Sequence, residues 1–127
     1  MTIKVFQLKD EPRNHWIRFL GSEEVRKIRG EIDSTDYRCV FKGKVLPVRL
    51  TENDSYDLDA IYERYQRNLP SEWTGHCLSV GDIICLYTRD WTKLFFIEPF
   101  GFSDITEKLK ENERRHIGNG CGTCQEP

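Results

Sequence analysis

Residues 83–87, Ile-Ile-Cys-Leu-Tyr, form an unbroken apolar run directly behind Gly81-Asp82, in a chain whose charged residues make up 31% of the total. A strand with one face in water alternates polar with apolar side chains; a run without alternation predicts a strand covered on both faces. Such a strand needs a sheet around it and a layer above and below. Gly81 and Asp82 suit the turn that feeds it, because glycine accepts backbone angles other residues resist and a short carboxylate can bond nearby backbone. Residues 93–98 form a second strong strand after the loop Arg89-Asp90-Trp91-Thr92, so the two predict a central hairpin.

The remaining pattern supplies partners for that hairpin. Residues 3–8 read as an opening strand, stopped by Lys9-Asp10-Glu11-Pro12. A further apolar stretch at 15–20 ends at Gly21. Ser22 is placed to cap a short helix with Glu23 and Glu24 in its first turn, Val25 and Ile28 toward the core and Gly30 at its end. Tyr37, Cys39 and Phe41 alternate with charged neighbours, as in a half-buried strand. Lys42-Gly43-Lys44 then offers a turn, and 45–50 a return strand at an edge, because Pro47 cannot donate to a ladder. The clearest helix covers 54–69: Leu58, Ile61, Tyr62, Tyr65 and Leu69 make one apolar stripe, and Pro70 stops it. Ser103-Asp104 is placed to cap a last helix reaching about Asn112.

The expected fold is α+β: one small domain over residues 1–112, with a bent, mainly antiparallel, PUA- or barrel-like sheet and the 54–69 helix packed across it. Residues 113–127 read as a polar, glycine- and cysteine-containing tail. A length of 127 residues suits one domain, and 38% hydrophobic residues suffice for a core. A net charge of −2 argues against a general nucleic-acid binder. No apolar run approaches the roughly 20 residues needed to span a bilayer, and the start does not have the form of a signal peptide. Five cysteines cannot all pair within one chain. Cys39, Cys77 and Cys85 lie in apolar contexts typical of buried thiols. The expected location is the cytoplasm.

Candidate chemistry is sparse. Cys121-x-x-Cys124 has the spacing of a zinc pair, but with His116 it supplies one ligand too few for a closed tetrahedral site. A thioredoxin-like role would place the motif at a strand–helix junction, not in a glycine-rich tail. His76 and Cys77 are adjacent, so on extended chain they point to opposite faces and do not form a nucleophile–base pair. The expectation is no catalysis, no metal and no cofactor. Two charge patterns remain. Arg13, Arg18, Arg26, Lys27 and Arg29 cluster early, with Glu23 and Glu24 interleaved, which reads as solvated surface. Glu52, Asp54, Asp57, Asp59 and Glu63 carry five negative charges with no basic residue among them. Some of these acids suit a helix N-terminus. As a ridge they would also compete with phosphates for a basic groove, which makes them the expected partner-binding residues.

The stretches "YRCVFKGKVLPV", "SYDLDAIYERYQRNLP", "HCLSVGDIICLY" and "LFFIEPFGF", in this order over most of residues 1–110, resemble the YodL-like family. These are small domains carried by conjugative and integrative elements of Firmicutes. The resemblance implies a mobile-element protein without established catalysis. It supplies no active site to carry over. In that setting the expected function is a protein-binding inhibitor of a host defence nuclease, of the anti-CRISPR or antirestriction type. The alternatives are a nucleic-acid-binding accessory domain of a conjugative element, or an effector that binds a host cytoskeletal protein.

Overall fold

The structure, a computed structural model, describes residues 2–44, 54–89 and 92–106, with backbone alone at 54–57. Among the described residues five strands form one antiparallel sheet: β1 (Thr2–Leu8), β2 (Tyr37–Lys44), β3 (Ile83–Tyr87), β4 (Thr92–Ile97) and β5 (Phe102–Asp104). Their order is β2-β1-β3-β4-β5, so the apolar run sits in the middle and the sheet is open, with β2 and β5 outermost among the described strands. Two α-helices among the described residues, α1 (Ser22–Arg29) and α2 (Asp54–Arg67), complete the α+β fold.

The missing alternation in β3 has the expected cause. Ile84 and Leu86 join Ile3, Val5, Phe95 and Ile97 under Leu58, Ile61 and Tyr65 of α2. Ile83 and Cys85 point the other way, to Phe6, Leu94 and Phe96 under Val25 of α1, Ile17 and Ile32. One strand therefore feeds two cores. On the α2 side Trp73 packs on both Phe41 and Tyr65, with ring centroids 5.2 and 5.3 Å away, and those two rings meet each other at 5.5 Å, which ties the chain after α2 to the sheet.

Several expectations are corrected. Tyr37, Cys39 and Phe41 do not share a face. Val5 pairs with Phe41 but Phe6 with Cys39, so Val40 is an extra residue in β2. This bulge reverses the alternation and sends Val40 and Phe41 to the α2 core while Tyr37 stays on the other side. Residues 42–44 do not turn; they continue β2 to its pairing of Lys44 with Thr2. The return strand expected at 45–50 lies outside the described residues.

In α1, Ser22 is the first helical residue and Gly21 the N-cap. The Ser22 amide donates to Glu98 at 2.8 Å, and its hydroxyl also donates to that carboxylate. Burial alone would raise the Glu98 carboxyl, but hydrogen bonds from Ser103 and Ser22, and nearby Arg26, hold it below the usual carboxylate range. Ile28 is 53% exposed rather than in the core. The inward stripe is Ser22, Val25 and Arg29, because Arg29 turns to Asp36, a buried carboxylate it meets at 3.1 Å.

The stretch 15–20 is a set of turns, and Trp16 and Phe19 within it are exposed. Ser103 and Asp104 belong to β5, although Asp104 still accepts a hydrogen bond from the Thr106 amide at 2.9 Å. The helix expected beyond them, and the tail with His116, Cys121 and Cys124, lie outside the described residues. Among the described residues no helix is long and apolar enough to cross a membrane.

Candidate functional site

The end of β1, the loop after Trp73 and the turn before β3 meet around one buried amide. Gln7 lies on the α2-facing side of β1, yet it is only 1% exposed and polar. A buried amide must find partners, and Gln7 finds them in Asp82 and His76. Its Nε2 donates to the Asp82 Oδ2 at 2.9 Å and to the His76 carbonyl at 2.8 Å, and its Oε1 accepts from the His76 amide at 3.2 Å. The loop is held from below as well, because the Trp73 indole donates to the same His76 carbonyl at 2.7 Å. Gly75 permits this closeness. A methyl there would overlap the Gln7 side-chain oxygen and come within 2.8 Å of a Val40 methyl.

Asp82 is 3% exposed. Its Oδ2 also accepts from the Ser79 amide at 2.9 Å, which closes the turn, while Gly81 takes the positive φ of 96° that the turn requires. Burial pushes the Asp82 carboxyl up to about 7, with the hydrogen bonds from Ser79 and Gln7 pulling the other way. The Asp–backbone turn expected from the sequence is therefore present, with a long-range partner added.

Above this brace opens a cleft of about 350 Å³. Lys9, Arg18, Phe19, Arg38 and His76 line it together with Gln7 and Asp82. Phe19 has a φ of 63°, the one non-glycine residue with positive φ among those described, and its ring is 55% exposed. Arg18 places its guanidinium 5.2 Å from that ring, and His76 lies 6.4 Å away, tilted by 59°. Arg38 donates to the carbonyl of Thr74 at 3.1 Å, which orients it across the strand end. The His76 Nδ1 is 2.7 Å from the Cys77 carbonyl.

The acidic ridge is separate. Glu52 lies outside the described residues, and Asp54 and Asp57 fall in the first turn of α2, where the backbone alone is described. Asp59 and Glu63 are exposed on the side of α2 away from its core stripe, and Glu63 meets Arg67 at 3.7 Å. The early basic group divides: Arg13 and Arg29 pair with Asp36 and Lys27 with Glu24, whereas Arg18 goes to the cleft. Cys77 is exposed, contrary to its apolar sequence context, and Cys85 is buried as expected. Burial pushes the Cys85 thiol up to about 12, so it is inert as a nucleophile. Among the described residues no three His, Cys, Asp or Glu side chains are arranged to hold a metal ion.

Gln7, Phe19 and Arg38 were not signalled as site residues by the sequence. Only the Gly81-Asp82 pair marked this end of the sheet.

The fold and the braced cleft define a small α+β domain whose open antiparallel sheet is packed on both faces. The model of the YodL-like domain matches residues 2–107, and the chain belongs to that family. Neither the curated proteins nor the solved structures contained a significant match to it.

Proposed function

We propose that the chain is a non-enzymatic protein-binding inhibitor, encoded by a mobile element and acting in the cytoplasm on a host defence nuclease. The observation that carries this reading is the presentation of Asp59 and Glu63. Leu58, Ile61 and Tyr65 anchor α2 in the core, so the acids two sides away are displayed on a rigid helix. A preorganised acidic face loses little entropy when it meets a basic nucleic-acid groove, and it opposes the phosphates that normally occupy that groove. The net charge of −2 supports a protein partner over nucleic acid as the main ligand. Glu63 spends part of its charge on Arg67, which leaves Asp59 as the stronger contact.

The test is capture from host lysate, then binding of the purified chain to the captured nuclease with and without its nucleic acid. The expected result is a stoichiometric complex, reduced DNA cleavage, and weakening by Asp57→Lys, Asp59→Lys and Glu63→Lys together. Salt-sensitive binding to RNA or duplex DNA with no protein partner would reject the proposal in favour of an accessory nucleic-acid-binding role.

A further inference from the structure

The cleft has a chemistry of its own. Three cations reach it from three parts of the chain: Lys9 just after β1, Arg18 from the 15–20 turns and Arg38 from β2. None of the three is within ion-pair distance of a carboxylate among the described residues, whereas Arg13, Lys27, Arg29 and Arg67 all are. The two acids at the cleft do little to offset them. The Asp10 side chain is turned out to solvent, 91% exposed, and Asp82 is buried with one oxygen committed to Gln7 and Ser79. An excess of positive charge over negative in a concave site favours an anion.

A phosphate monoester suits this arrangement better than a carboxylate does. One arginine satisfies a carboxylate through its two oxygens, whereas three separated cations match the three oxygens and larger charge of a phosphate. The cleft is also larger than a bare phosphate needs, at about 350 Å³, and falls in the range of small-ligand sites. Phe19 supplies the wall for the remainder. A bulky residue at φ 63° is strained. Here the strain turns an aromatic ring, still 55% exposed, to the cleft beside His76. Exposed aromatic rings and guanidinium planes are the surfaces on which unpaired bases stack.

We propose that this cleft binds a nucleoside monophosphate, with Lys9, Arg18 and Arg38 on the phosphate and Phe19 against the base. The nucleotide is either free or the 5′-phosphorylated end of a single strand. The site is independent of the acidic face of α2, and its test does not involve a nuclease.

Calorimetric titration of the full chain with AMP, GMP, CMP and UMP is expected to show one saturable site, with inorganic phosphate binding more weakly. Arg18→Gln with Arg38→Gln should weaken the mononucleotide by about tenfold or more, as loss of charged hydrogen bonds does, with the folded circular dichroism spectrum kept. Phe19→Gly relieves the positive φ, so the fold is kept; it should reduce AMP to the affinity of inorganic phosphate. A 5′-phosphorylated trinucleotide that binds more tightly than AMP identifies a strand end as the source. Equal or weaker binding identifies the free nucleotide. No saturable binding of any mononucleotide at millimolar concentration overturns the proposal. So does equal affinity in the double arginine variant, or binding of an acidic peptide in place of nucleotides.

Discussion

Replacing Asp82 by asparagine should make the protein more stable, and by an amount set by pH. Asp82 Oδ2 accepts both the Gln7 and the Ser79 hydrogen bonds. The amide oxygen of asparagine can take over both while the buried charge is removed. The carboxyl titrates near 3.8 when unfolded and at about 7 when folded. Between those values the folded state holds the proton and the unfolded state does not. Stability from this group is therefore full below pH 3.8, falls as pH rises, and is lost above about 7. Roughly three pH units at 1.36 kcal/mol each set an upper figure of about 4 kcal/mol.

Asp82→Asn does not titrate, so the difference between variant and parent isolates this one group. Urea unfolding from pH 4 to 8 should show the variant gaining on the parent by about 1.4 kcal/mol per unit through the middle of the range. Above pH 7.5 the gain should level off. Two stability profiles that run parallel across this range would refute the reasoning, because Asp82 would then ionise alike in folded and unfolded chains.

Three further variants test the scaffold. Ile84→Asp puts an unpaired charge into a strand covered on both faces, at a cost of several kcal/mol, and should give an unfolded circular dichroism spectrum at 25 °C. Gly75→Ala forces a methyl against Gln7 and Val40, neither free to move away, and should lower stability by about 1–3 kcal/mol in denaturant. Phe19→Gly should melt no lower than the parent despite losing the ring, whereas Phe19→Val should melt lower, since a β-branched residue tolerates positive φ least.

The parts of this fold that were legible in the sequence are those in which one short segment carries its own evidence. The run at 83–87 announced burial on both faces, and the Leu58, Ile61 and Tyr65 spacing announced a helix face. What could not be read depends on distant partners. The bulge at Val40 exists because β1 and β2 must pair in a register that the period of β2 alone does not reveal. Ile28 looked like a core residue until Arg29 turned inward to Asp36, a contact made seven residues away. Gln7 lies in the opening strand read at 3–8, and its use becomes visible only once Asp82 comes within hydrogen-bond reach. The cleft inherits the same difficulty, since Lys9, Arg18 and Arg38 are scattered single basic residues until the sheet assembles them.

The placement of β1 also sets a timetable for a chain leaving the ribosome. One edge of β1 can zip to β2 once residue 44 has emerged, but the other waits for residues 83–87. At about 5–20 residues per second, that edge stays bare for on the order of seconds. Gln7 must then find an acid 75 positions downstream before the last turn can lock. Such long-range closure is slow compared with helix formation, and in the interval the nascent protein offers a strand edge to any extended segment nearby.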